Sequence, residues 1–166
     1  MRATLGLILA GVASQAWPLA AGASGCDAFK WPIAAEAAAL SASSIPALEP
    51  GAALSYGAAA RLQLVPLEEA KLPLAPERAP KVSPSYAGAF PLAAPAAPGT
   101  YKITLSGPGW IDVVQNGKFV HPTGFGDPSD CPGARKSLKF PLADQPATLQ
   151  LSGVGDREIS AIVTPE

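Results

Sequence analysis

One histidine, two cysteines and one methionine are found among 166 residues, and only 15% of the chain is charged. Each scarcity removes a class of chemistry. Non-haem iron oxygenases use two imidazoles and a carboxylate, and catalytic zinc sites draw on a comparable set of ligands, so His121 alone builds neither. A Ser-His-Asp hydrolase can be assembled on one histidine, but it needs a presented nucleophile. No Gly-x-Ser-x-Gly elbow is present; Ser106 and Ser152 sit in Leu-Ser-Gly contexts. Charge of either sign is also thin, with 12 basic residues against 13 acidic ones and no basic run longer than Arg135-Lys136. A nucleic-acid partner requires a clustered basic face, and this distribution excludes one. Phosphate-loop, dinucleotide and haem-attachment motifs are missing. The adjacent Glu68 and Glu69 would diverge in an extended chain and make a poor general acid/base pair.

Long apolar runs are lacking too. Leu5–Ala13 is too short to span a bilayer. With Arg2 before it and Ala21-Gly22-Ala23 after it, the run predicts a secretory signal peptide over residues 1–23, with Ser24 as the first mature residue. The expected product is one domain over residues 24–166, periplasmic or secreted, with no transmembrane segment. In an exported chain, an even cysteine count argues for a Cys26–Cys131 disulfide. Closing a loop of that length is worth about 4–5 kcal/mol in the chain-entropy picture. A competing reading takes Ala23-Ser24-Gly25-Cys26 as a loose lipoprotein processing site, with Cys26 as a lipid-anchored N-terminus and Cys131 unpaired.

What is abundant is turn chemistry, with 19 prolines and 16 glycines, which argues against long helices. Pro98–Lys118 is the best-specified stretch and reads as a β meander. Tyr101–Leu105 alternates apolar with polar, Trp110–Gln115 is rich in β-formers, and Asn116-Gly117 suits a type I′ hairpin turn. Leu105-Ser106-Gly107-Pro108-Gly109 is echoed by Leu151-Ser152-Gly153-Val154-Gly155, which suggests the same hairpin chemistry used twice. Further strands are expected at Arg61–Val65, Tyr86–Leu92, Lys118–Pro122, Ser137–Leu142, Thr148–Leu151 and Ile159–Val163. A short helix follows Pro32, with Ile33, Ala37 and Leu40 on one face. Residues 67–84 read as a Pro-rich surface segment with solvated charges, in which Lys71–Leu74 pairs briefly as an edge. Thr123–Gly133 reads as an irregular loop. About eight short strands separated by turns predict a mainly β fold, an antiparallel β-sandwich or jelly-roll-like domain.

Aromatics offer the main route to binding. Trp110, Phe119, His121 and Phe125 cluster around one meander and its loop, and Asp112 shares a strand face with Trp110, so these five form the candidate binding surface. Asp127 and Asp130 are weak calcium candidates, because irregular loops supply the oxygen ligands that ion takes. No other cofactor is expected.

Five segments together carry a resemblance: Cys26–Pro32, Pro76–Pro80, Gly99–Tyr101, Trp110–Val114 and Cys131–Ser137. They resemble a group of short exported bacterial proteins of unsettled function, some of which bear the label homogentisate 1,2-dioxygenase. That iron chemistry needs several histidines, so no metal ligands are carried onto this chain. Gly99–Leu105 followed by Trp110–Val113 is also similar to the pre-peptidase C-terminal β-sandwich modules of secreted enzymes, which implies an accessory role. The expected function is therefore a non-catalytic binding or accessory protein, its partner an envelope protein or polysaccharide. The alternatives are a small enzyme, either a hydrolase using His121 or the labelled dioxygenase, and an envelope lipoprotein anchored through Cys26.

Overall fold

Alternation sets the strands. In Gly99–Leu105, Tyr101, Ile103 and Leu105 face the core while Thr100, Lys102 and Thr104 face the other way, Thr100 and Lys102 partly exposed and Thr104 covered, the two-residue period of a pleated strand. A computed structural model describes residues 25–128 and 130–166; the signal peptide expected over residues 1–23 lies outside the described residues. Among the described residues are one α-helix, α1 (Ala34–Leu40), two short 3-10 turns (Gly25–Ala28 and Leu67–Glu69) and eleven strands. These are β1 (Ala47–Leu48), β2 (Ala60–Gln63), β3 (Val65–Pro66), β4 (Tyr86–Leu92), β5 (Gly99–Leu105) and β6 (Trp110–Gln115). They continue with β7 (Lys118–Val120), β8 (Gly124–Gly126), β9 (Lys136–Leu142), β10 (Ala147–Val154) and β11 (Glu158–Pro165). A six-stranded sheet runs β1-β2-β11-β5-β9-β8 and a five-stranded sheet β3-β4-β10-β6-β7. Between them lies a core that includes Leu62, Phe90, Leu92, Ile103, Phe140 and Leu149, so the expected β-sandwich is the architecture observed.

Several local expectations need correction. Pro98–Lys118 is not one meander, because β5 lies in the six-stranded sheet and β6 in the five-stranded one. Ser106-Gly107-Pro108-Gly109 carries the chain across the sandwich, and it passes so close to β10 that a Cβ on Gly109 would stand 2.9 Å from Val154 Cγ2. The echo at Leu151–Gly155 is not a second hairpin. Gly153, at φ +63°, makes a bulge inside β10 that shifts its register against β4 between Leu151 and Val154. The β6–β7 hairpin is as read, with Asn116 at φ +51° and Gly117 at φ +68°, the two left-handed residues of a type I′ turn. Arg61–Val65 divides between the sheets as β2 and β3. Lys71–Leu74 joins no strand, because the Leu74 amide donates to the Gln150 side chain instead, at 3.3 Å. Thr123–Gly133 contains β8, paired with β9. Pro32 stands two residues before α1, outside its first turn, while Ile33, Ala37 and Leu40 share the buried face as expected.

The N-terminal segment forms a second layer over the outer face of the six-stranded sheet. Phe29, Ile33, Ala37, Cys131 and Ala134 form a small core of their own, with Cys26 and Trp31 packed against it. Trp31 Nε1 donates to Ser137 Oγ at 3.2 Å, and Ser137 shares a hydrogen bond with Thr104 at 3.0 Å. Glu36, buried on α1, pairs with the Lys102 ammonium and accepts from the Thr164 hydroxyl at 2.7 Å. Burial opposes the charge on Glu36, but these two partners outweigh it and hold the carboxyl below its ordinary range. The Cys26–Cys131 disulfide, 105 residues apart in sequence, ties this layer to the loop before β9.

Replacing both cysteines with alanine should lower the unfolding free energy by about 4–5 kcal/mol. Urea denaturation followed by tryptophan fluorescence measures this, and an unchanged midpoint would show that the segment docks without the cross-link.

Candidate functional site

Two large apolar side chains are exposed among the described residues, Val82 at 44% and Phe125 at 46%, and both line the same cleft of about 320 Å³. The cleft opens at the end of the sandwich where Ser106–Gly109 crosses between the sheets. β6 supplies Trp110, β8 supplies Phe125 and β9 supplies Lys136, while Arg78–Val82 of the Pro-rich segment forms a wall. Phe125 lies opposite the core residue Leu138 across the β8–β9 pair, so it points toward the space between the sheets. Because β8 is an edge strand of three residues, no further strand lies beyond it to cover that ring. Lys136 has the same parity as Leu138 along β9, and its ammonium donates to the Gly109 carbonyl at 2.5 Å. The β10 bulge brings Gly153 to the Pro-rich segment, where a Cβ would stand 3.8 Å from Pro80 Cα.

Cations dominate the electrostatics. The Arg78 guanidinium lies 5.3 Å from the centre of the Trp110 ring, and Lys136 Nζ lies 5.8 Å from that of Phe125. Among the described residues, Arg78, Lys81 and Lys136 form no ion pair. The lining carboxylate, Asp127, is 3.8 Å from Arg135, which also donates to the Asp127 carbonyl at 2.5 Å. Burial pushes the Lys136 ammonium below its ordinary pKa; Asp127 opposes this, and Arg135 and Arg78 add to the lowering.

Asp112 lies beside Trp110 but is buried, 3% exposed, and serves as an anchor. It accepts from Trp110 Nε1 at 2.6 Å, from Gln150 Nε2 at 3.3 Å and from the Glu77 amide at 3.4 Å. Its partner Gln150 is opposite it in register on β10 and accepts from the Leu74 amide. The pair therefore fastens residues 74–77 onto the outer face of the five-stranded sheet. Burial raises the Asp112 carboxyl above its ordinary pKa of 3.8, and the Glu77 charge adds to this. The donors from Trp110, Glu77 and Gln150 pull the other way without cancelling it.

The structure brings Trp110 and Phe125 together in the cleft, with Asp112 beneath the adjoining segment. Phe119 and His121 lie outside the lining. Phe119 is on β7 opposite Val114, and exposed His121 has Nδ1 3.6 Å from a Glu77 carboxylate oxygen. Among the described residues His121 has no hydrogen bond to a serine or threonine hydroxyl. Asp127 and Asp130 face different partners, since the Asp130 carboxylate accepts from the Gly25 amide at 2.8 Å. No cluster of three metal-binding side chains forms among the described residues. Arg78, Lys81, Val82 and Lys136 were not legible as site residues. The first three sit in a stretch that reads as solvated surface, and only the Pro76–Pro80 spacing signals chain held stiffly extended.

The raised Asp112 pKa makes a signed prediction. A carboxyl whose folded pKa is raised contributes stability below its unfolded value, and that contribution is lost as pH rises through the folded value. Asp112→Asn should therefore remove a stability loss that the parent shows upward from about pH 4. Parallel pH profiles of urea unfolding for the two proteins would refute the assignment. Asp112→Ala strands the donors and should cost about 1–3 kcal/mol at every pH.

The chain matches no family model, no curated protein and no solved structure.

Proposed function

We propose that residues 24–166 form an exported, non-catalytic binding or accessory protein whose ligand sits in the Trp110–Phe125 cleft. One observation carries this reading: the two large apolar side chains left in solvent among the described residues line a single concavity, beside a tryptophan and unpaired cations. Isolated exposed apolar residues are ordinary, whereas their convergence on a cleft with a few polar groups is the usual character of a ligand site. The groups presented there are rings and ammonium or guanidinium heads, which grip and orient a ligand. Export is supported by the leader pattern in residues 1–23 and by the disulfide, which persists in oxidising compartments.

Phe125 separates binding from folding, because truncating a half-buried ring at an edge strand should cost only about 1 kcal/mol and leave the core in place. A small-fragment library screened by amide and indole NMR shifts should give hits that move the Trp110 indole and the neighbours of Phe125. Phe125→Ala should weaken them at least fivefold while the protein stays folded, its melting temperature lowered by only a few degrees. Hits confined to other surfaces, or hits indifferent to this substitution, would overturn the assignment.

A further inference from the structure

The chemistry of the cleft narrows its ligand. Resting on the reading of this cleft as a binding site, we infer that it takes a small amphiphilic carboxylate, an apolar body of one ring or a short acyl chain with one anionic head. Charge complementarity is the first argument. Three cations, Arg78, Lys81 and Lys136, line the cleft without an ion pair, and its one carboxylate, Asp127, is held by Arg135. Lys136 is partly desolvated and its one hydrogen bond goes to a neutral carbonyl; Asp127 offsets part of its charge without forming an ion pair, so an anion arriving there would still meet an unpaired cation.

The second argument is what the lining offers besides charge. The remaining residues are Ala79, Pro80, Val82, Pro108, Gly109, Trp110, Phe125 and Gly153, with no serine, threonine, asparagine, glutamine, tyrosine or histidine side chain among them. A sugar here would meet only the three cations and Asp127, too few partners for its several hydroxyls and mismatched to their need for neutral donors and acceptors. Pro80 and Pro108 carry no N–H, so this part of the wall cannot cradle a phosphate with backbone donors as a glycine-rich loop does. Size is the third. Ligand pockets run from roughly 300 to 1,000 Å³, and a cleft of about 320 Å³ suits a single ring or short chain better than a polymer segment.

The test uses the oxidised mature chain and two matched pairs: 3-phenylpropanoate with 3-phenylpropanamide, and hexanoate with hexanamide. Titration by NMR should show the carboxylates saturating the Trp110 indole shift, with each amide at least tenfold weaker. Raising sodium chloride from about 50 to 500 mM should weaken only the carboxylates. Lys136→Met should abolish the preference for carboxylate while leaving the amide's affinity in place. Arg78→Gln, at an exposed position, should reduce the preference severalfold. Amides that bind as tightly as carboxylates would overturn the anion assignment and leave the cleft as a binding site. Binding of neither member of a pair would overturn the assignment of this ligand class, and the Phe125→Ala fragment comparison then decides separately whether the cleft binds anything.

Discussion

Polar side chains buried on the outer faces of both sheets are satisfied partly by one another and partly by chain that belongs to neither sheet. Thr104 and Ser137 are fully buried on the six-stranded sheet, and Gln150 and Asp112 are almost fully buried on the five-stranded one. An uncovered face would return these groups to water, whereas a covered one must answer every donor and acceptor. Residues 25–41 answer on one side with Trp31 and Glu36, and residues 74–77 answer on the other with two backbone amides. The two covers solve the same burial problem with opposite electrostatic results. Glu36 meets an ammonium and stays easily ionised, while Asp112 meets only neutral donors and becomes harder to ionise.

The edges follow a related logic. The four edge strands, β1, β3, β7 and β8, are two or three residues long, too short to template pairing with another chain. Recognition by strand addition is thereby disfavoured, and contact with a partner shifts to side chains. Phe125 emerges from this arrangement. Its strand is too short to extend the sheet over the ring, so an inward-facing residue ends at an open mouth.

Fold class was legible because it depends on period and turn chemistry, which are local. Trp110–Gln115, Tyr86–Leu92 and the Asn116-Gly117 turn come out as read. Sheet membership was not legible, since alternation reports that a residue is buried and not which sheet its strand joins. β5 and β6 are separated by four residues and look like hairpin partners, yet each pairs with distant segments, β9 and β11 for one and β10 for the other. The role of Asp112 was hidden for the same reason. Its shared face with Trp110 follows from spacing, but its burial depends on a cover arriving from residues 74–77.

The cover and the cleft are mechanically one unit. Asp112 holds the Trp110 indole with one oxygen and the Glu77 amide with the other, and the next residue, Arg78, stacks on that same ring. The wall running from Arg78 to Val82 is therefore positioned by a carboxylate that never reaches the cleft surface. Loss of that anchor would free the wall before it disturbed the sandwich core, because the inward-facing residues Ile111 and Val113 remain packed regardless. A site assembled in this way owes its shape to hydrogen bonds at the base of a proline-stiffened segment, and its charge to the unpaired cations lining it. The first fixes where a ligand's apolar body can lie, and the second favours an anionic head.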